Sequence, residues 1–192
     1  MSTQAWAVLL GAYLLGSIPS AYLVARFAAG VDIRQVGDGN MGAKNTFESV
    51  GWLPGLVAAA ADVGKGALAV AMARQFKLPE NVVLLAGACV VLGHDFPLFL
   101  GFRGGQGMAA IVGIFGVLFP YETGIALLVL AVALAITHNW DLSCTICFGL
   151  LPVSLWLTGR PAKQVLYPVL LLPTIGAKKL MAAWQARREV AM

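Results

Sequence analysis

The chain reads as long apolar runs separated by short polar stretches. Seven runs are expected to cross a bilayer as helices: residues 5–26, 52–73, 82–100, 108–119, 123–137, 142–157 and 165–184. A hydrocarbon core about 30 Å thick needs about 20 residues of helix. By that measure 108–119 is short and 123–137 modest, and the two are expected to form a hairpin of short helices beside a locally water-filled site. No run alternates in polarity as the strands of a membrane barrel do. The first run is expected to be a true span and not a cleaved signal, because no basic residue precedes it and Gly16-Ser17-Ile18-Pro19 lies inside it. The pattern predicts an all-α integral membrane protein of about seven transmembrane helices, some short, with Gly-rich cytoplasmic loops, forming one polytopic domain over residues 1–192.

Composition narrows this further. The 192 residues are 59% apolar and only 11% charged, with a mean hydropathy of +0.82. Soluble domains carry roughly 25% charged residues, so a water-soluble globule, a disordered chain and a disulfide scaffold are excluded. Cys89, Cys144 and Cys147 stand in apolar surroundings and read as small hydrophobes. The C-x-x-C spacing of the last two has no second pair or histidine nearby to make a metal site, and neither metal nor cofactor is expected. With seven spans, one side holds Arg26, Arg34, Lys44, Arg103, Lys178, Lys179, Arg187 and Arg188, and the other holds Arg74, Lys77, Arg160 and Lys163. This eight-to-four bias puts the first side in the cytoplasm and the N-terminus outside. Positive-inside loops account for the net charge of +4, and no nucleic-acid partner is needed.

Two loops on the expected cytoplasmic side carry candidate chemistry. Residues 37–45 hold three glycines and two asparagines, with Arg34 and Lys44 adding positive charge. Such a stretch can turn several backbone N–H groups toward one phosphate, although an ordinary solvated turn has the same composition. Gly101-Phe102-Arg103-Gly104-Gly105-Gln106-Gly107 repeats the combination of glycines with a cation just before a helix expected to open at Met108. His94, one of two histidines, lies upstream, and a lone interfacial histidine is more often a structural hydrogen-bonding group than a base. Two such loops on one face suggest one site for two anions, or one anion held from both sides. Asp62 and Lys65 share a helix face within a span. Ionisable groups there point to protein or water, and this pair reads equally well as structural or functional. His138-Asn139-Trp140-Asp141 reads as an interfacial turn without chemistry.

The motifs Gly16-Ser17-Ile18-Pro19-Ser20-Ala21-Tyr22, Gly37-x-Gly-Asn-x-Gly-Ala-x-Asn45, Asp62-x-x-Lys65-Gly66 and Gly93-His-x-Phe-Pro-x-Phe-Leu-x-Phe-Arg-Gly-Gly-x-Gly107 follow in this order. This chain resembles the bacterial membrane-bound glycerol-3-phosphate acyltransferase family that uses acyl phosphate as donor, strongly over residues 11 to 110. The resemblance implies seven membrane helices, an outside N-terminus and cytoplasmic motif loops in the bacterial inner membrane. It implies transfer of an acyl group from acyl phosphate to glycerol 3-phosphate, giving lysophosphatidic acid and phosphate, the first acylation of phospholipid synthesis. Carried over, Gly37, Gly39, Asn40, Gly42, Ala43 and Asn45 bind acyl phosphate. Lys44, His94, Arg103, Gly104, Gly105 and Gly107 bind the acceptor, with Asp62 and Lys65 in support. Membrane lipid is the other expected partner, and a monomer is expected.

The chain departs from the family pattern at defined positions. Asp38 stands where the family carries a catalytic serine and Gln106 where it carries a lysine. Glu48 replaces a basic residue, and the His-Arg-x-Asn stretch of the last helix is missing from residues 173–180. These changes leave the donor loop's backbone intact and deplete the acceptor site of cations. Acyl phosphate already carries a good leaving group, so backbone N–H groups can stabilise the developing charge without a covalent intermediate. No Ser-His-Asp order typical of a nucleophilic hydrolase is present. Three alternatives stay open: a paralogue with a less charged acceptor, a non-catalytic acyl-phosphate-binding protein, and a small transporter, although no internal repeat supports the last. The charge bias makes one topological prediction. Cysteines introduced at Ser2 and Ser49 will label from opposite sides of the membrane, and labelling of both from one side overturns the topology.

Overall fold

The computed structural model describes residues 1–190, with side chains through Lys178. The described residues form nine α-helices and two 3₁₀ turns. The helices are α1 (Thr3–Gly16), α2 (Ser20–Ala29), α3 (Ala43–Ser49), α4 (Trp52–Gln75), α5 (Glu80–Asp95), α6 (Met108–Leu118), α7 (Pro120–Thr137), α8 (Trp140–Leu157) and α9 (Ala162–Val190). Taken together, α1 and α2 make one apolar span, Thr3–Ala29. With α4, α5 extended by its 3₁₀ turn to Leu100, α7 and α8, that makes five stretches among the described residues long and apolar enough to cross a membrane. The protein is an all-helical integral membrane protein. Lys179, Arg187 and Arg188, counted in the charge bias, have side chains outside the described ones.

The first span is not continuous. Pro19 lacks the N–H that would continue the ladder, and the chain breaks over Ser17–Pro19 before restarting at Ser20. The short fourth run is also observed. At about 1.5 Å per residue the 11 residues of α6 rise roughly 16 Å, half a bilayer core. The fifth run is longer than its apolar pattern suggested, because Pro120 opens α7 at its first position and gives an 18-residue helix. The expected hairpin of two short helices is therefore one short helix followed by one full one.

Side-chain contacts sort the helix ends into two sets. At one end Arg74 donates to Val117 O, Arg160 pairs with Glu122, and Lys163 and Gln164 reach Glu80. At the other end Tyr13 donates to Phe96 O and Lys178 to Asp95 O. The loops after α2 and α5 meet at this second end, where Gly105 lies against Met41 O.

Glycines set how closely the helices approach. A Cβ on Gly16 would stand 2.2 Å from Val90 O, and one on Gly93 would stand 2.1 Å from Tyr13 O. The α1 and α5 backbones therefore touch directly. The same holds for α4 and α6, where a Cβ on Gly66 would meet Ala110 O at 2.0 Å and one on Gly113 would meet Val63 O at 1.9 Å. In lipid such contacts supply the association energy that apolar burial provides in water. We expect Gly93→Leu to separate α1 from α5 and lower stability by about 1–3 kcal/mol or more. Thermal unfolding in detergent checks this, with Gly11→Leu, where a side chain meets open space, as the tolerated control.

Candidate active site

The base of the site is a buried ion pair. Lys65 Nζ lies 2.9 Å from Asp62 Oδ1, and both side chains are almost wholly buried. The same ammonium donates to Gly16 O at 3.0 Å and Ile18 O at 3.1 Å. The break between α1 and α2 frees Gly16 O, while Ile18 O also accepts from the Ser20 N–H, so Lys65 supplies a donor that the interrupted helix lost. His94, on the last turn of α5, presents Nδ1 to Asp62 Oδ1 at 3.6 Å. Its other ring nitrogen, Nε2, lies 2.3 Å from where a Cβ on Gly105 would stand, and Met41 O lies 2.9 Å from that same point. The two glycine loops thus close together over His94.

The first loop is organised by Asn45, which is fully buried. Its Nδ2 donates to Ile33 O, Val36 O and Asn40 O, and its Oδ1 accepts from the Asp38 N–H and the Ser49 hydroxyl. Asn45 is thus the frame of the loop, with its amide committed inward. Gly37, at φ +60°, is held so near Asn45 Oδ1 that a Cβ would stand 2.0 Å from it. Asp38 is exposed and its carboxylate accepts from the Asn40 N–H. The amides of Asp38, Gly39 and Asn40 are engaged in these turns. Those of Met41, Gly42 and Ala43 donate to nothing among the described residues, and they lead into the first turn of α3.

The cations beside this loop have partners. Arg34 forms a two-pronged pair with Asp32, which holds the Asp32 carboxyl below the ordinary carboxylate range. Lys44 lies 3.1 Å from Glu48 and 4.0 Å from Asp38, and the Glu48 carboxylate raises the lysine above its ordinary value.

The second loop folds back on α5. Gly105 N–H donates to His94 O. A Cβ on Gly104 would stand 2.1 Å from His94 O. Gly107, at φ +71°, caps α6 beside the Asp95 carboxylate. Gln106 is half-buried, and Arg103 is exposed with no side-chain partner among the described residues. Of the residues singled out in the sequence, the structure brings together Met41's neighbours Asn40 and Gly42, with Asp62, Lys65, His94, Gly104 and Gly105. Arg103 and Lys44 stand further out on the exposed rim.

Sequence reasoning missed two features. Lys178 on α9 donates to Asp95 O at 2.7 Å and lies over the Phe96 ring, tying the last helix to the second loop. Asp95 itself is fully buried with both carboxylate oxygens unpartnered. A charged residue beside His94 at a span's end was the available signal for Asp95. Nothing in the linear pattern signals the reach of Lys178.

Comparison with known proteins gives one consistent family. The family model described as glycerol-3-phosphate acyltransferase matches residues 6–191. Glycerol-3-phosphate acyltransferase 1 of Dehalococcoides mccartyi is 44% identical over 177 residues, covering 88% of this chain and 85% of that protein. The glycerol-3-phosphate acyltransferase of a Synechococcus strain is 38% identical over 180 residues, covering 93% and 86%. The crystal structure of PlsY, an integral membrane glycerol 3-phosphate acyltransferase, in its glycerol 3-phosphate form superposes with a TM-score of 0.86 at 27% identity, covering 97% of this chain and 93% of that one. Its lysophosphatidic acid form gives 0.84 at 26% identity. This chain belongs to the glycerol-3-phosphate acyltransferase family of integral membrane enzymes.

Proposed function

We propose that the protein transfers a fatty acyl group from acyl phosphate to glycerol 3-phosphate, releasing lysophosphatidic acid and inorganic phosphate. The observation that carries this reading is the closure of both glycine loops over His94, beside three unengaged backbone amides at Met41, Gly42 and Ala43. These amides suit the donor phosphate, because backbone N–H groups bring partial positive charge without a side chain's bulk. Asn40 and the glycines 37, 39 and 42 shape that loop, with Asn45 as its frame. The acceptor lies toward the second loop, near His94, Gly104, Gly105 and Gly107, with Arg103 and Lys44 on its rim. Asp62 and Lys65 hold the floor.

The acyl tail has a matching place. An apolar groove of about 320 Å³ runs between α1 and α4 past Val8, Gly11, Ala12, Leu15, Leu68 and Met72. It begins at Leu15, one residue before the Gly16 carbonyl that meets Lys65. A chain seated there would bring its acyl carbon toward the loop seam, and positioning of this kind supplies much of the rate in a reaction with a good leaving group. On this reading the seam faces the cytoplasm across a bacterial inner membrane, as the cation bias supports. Purified protein given acyl phosphate and glycerol 3-phosphate should release phosphate and form lysophosphatidic acid. Phosphate release only with other acceptors, or none at all, overturns the reading.

One observation favours a second reading, an acceptor with less negative charge. Asp38 and Glu48 both draw on Lys44, so the rim's positive charge is spent within the protein. An ionic hydrogen bond missing at Gln106 weakens a phosphate's hold by about 1–3 kcal/mol. Gln106→Lys combined with Asp38→Ser should therefore raise kcat/KM for glycerol 3-phosphate at least about tenfold. Robust wild-type turnover without a gain in the double variant shows that other groups hold the acceptor phosphate. At the donor loop, Gly42→Ala drives a Cβ to 2.8 Å from the Asn40 side-chain amide. We expect it to weaken acyl-phosphate binding by at least about tenfold while the protein stays folded, through strain on the order of 1–2 kcal/mol. Unchanged binding removes this loop from the site.

A further inference from the structure

We infer that Lys178, reaching in from α9, holds the phosphate of the acceptor against the second glycine loop, together with Arg103. This rests on the glycerol 3-phosphate reading above and names the groups that hold that phosphate.

Residues 101–107 contain one cation of their own, Arg103, and Gln106 is neutral. A second positive charge comes to this loop from the far end of the chain. Lys178 is half-buried on α9, and its ammonium lies 4.4 Å from the centre of the Phe96 ring and 2.7 Å from Asp95 O. That same oxygen lies 2.6 Å from where a Cβ on Gly104 would stand. The ammonium and Gly104 therefore flank one carbonyl, and Arg103 is the next residue along the chain. Gly104 brings no side chain of its own to this place.

Neither cation is neutralised by an acid. Lys178 makes no ion pair among the described residues, although it meets the backbone of an aspartate. The Asp95 carboxylate lies against Gly107 instead, with Oδ1 3.0 Å from where a Cβ there would stand. This sets Lys178 apart from Arg34, Lys44, Lys65, Arg160 and Lys163, each of which sits on a carboxylate. An ammonium has three donors, and Asp95 O takes one of them. A phosphate monoester carries close to two negative charges at pH 7, and an anion between two cations stabilises both. Beside Gly104 it would accept the guanidinium's fork from Arg103 and the free N–H groups of Lys178. The acceptor's hydroxyl end then extends along the seam, where Gly105 lies against Met41 O, toward the donor loop.

A cation also suits the carbonyl end of α5, so capping would account for the bond to Asp95 O. Capping does not account for a half-buried charge left without an acid. The two roles also separate in experiment, because only one of them depends on the acceptor's charge.

The test uses full-length protein in detergent with acyl phosphate and glycerol 3-phosphate. Lys178→Met keeps the apolar stem and removes the charge. It should raise the KM for glycerol 3-phosphate at least about tenfold, with kcat and acyl-phosphate binding within about threefold of wild type. Lys178→Arg should keep most of the wild-type KM, and adding Gln106→Lys to Lys178→Met should recover at least half of the loss. An acceptor KM within about threefold of wild type in Lys178→Met overturns the inference, whatever happens to kcat or thermal stability. If Lys178→Met fails to fold, acylation of lysines in the wild-type protein decides. Glycerol 3-phosphate should protect Lys178 from an amine-reactive ester, read by mass spectrometry, and glycerol should not. Equal labelling with and without glycerol 3-phosphate overturns the inference. A wild-type protein that transfers no acyl group to glycerol 3-phosphate fails the parent reading, and this inference falls with it; normal turnover with an unmoved KM in Lys178→Met fails this inference alone.

Discussion

The Lys65 ammonium is the contact on which the site depends. A helix broken inside a bilayer leaves carbonyls with no water to satisfy them, and each such group costs several kcal/mol. The break before Pro19 leaves Gly16 O without a helical donor, and Lys65 meets it while sharing Ile18 O with the Ser20 N–H. A lone ammonium at that depth would be costlier than the orphan carbonyl, so Asp62 must lie one turn away on the same helix. One residue thereby joins α1, α2 and α4, and Asp62 extends the joint to His94 on α5. Removing one member of such a buried pair typically costs about 3–5 kcal/mol, because the other charge is left without a partner.

Glycine serves two unrelated purposes here, and both are needed to form the site. Gly16, Gly93, Gly66 and Gly113 let helix backbones touch, which fixes the depth at which α5 ends and α6 begins. α6 begins its contact opposite Gly66, well inside the span of α4, and the twelve-residue connection from α5 folds back over His94. Gly37 and Gly107 instead take positive φ in the loops, and Gly105 keeps a methyl group off the imidazole. The packing glycines bring the loops to one place, and the loop glycines leave room there.

Much of this was legible in the linear pattern, for physical reasons. Hydropathy located the five stretches long and apolar enough to span among the described residues, since a bilayer demands long apolar runs whatever the tertiary contacts. The glycine loops and the Asp62–Lys65 spacing stood out because such residues are rare and expensive at those positions. The break at Pro19 was visible as a motif, but its partner was not. Nothing in sequence ties residue 65 to carbonyls 47 and 49 positions earlier. Asn45 was read as facing a phosphate, whereas its amide faces inward to five partners in its own loop. A side chain's direction depends on three-dimensional closure of the loop, which composition does not encode. The length of α7 was underestimated because Pro120 and Glu122 look like a polar boundary, although Glu122 is buried against Arg160 and belongs to the helix.

The electrostatics of the loop end bear on how the proposed reaction would be driven. Arg34 is engaged by Asp32, Lys44 by Glu48, Arg26 by Gly30 O and Lys65 by the helix break. These cations stabilise the protein's own acids and carbonyls, so little of their charge is left for a substrate. On the proposed reading, stabilisation of a departing phosphate then falls to the amides of Met41, Gly42 and Ala43. Amides fixed by the Asn45 frame need no reorganisation as charge develops, which is the condition under which modest dipoles are effective. A mobile lysine would bring more charge and lose side-chain freedom on binding. On the proposed reading, a rigid neutral cradle suits a donor that already carries a good leaving group.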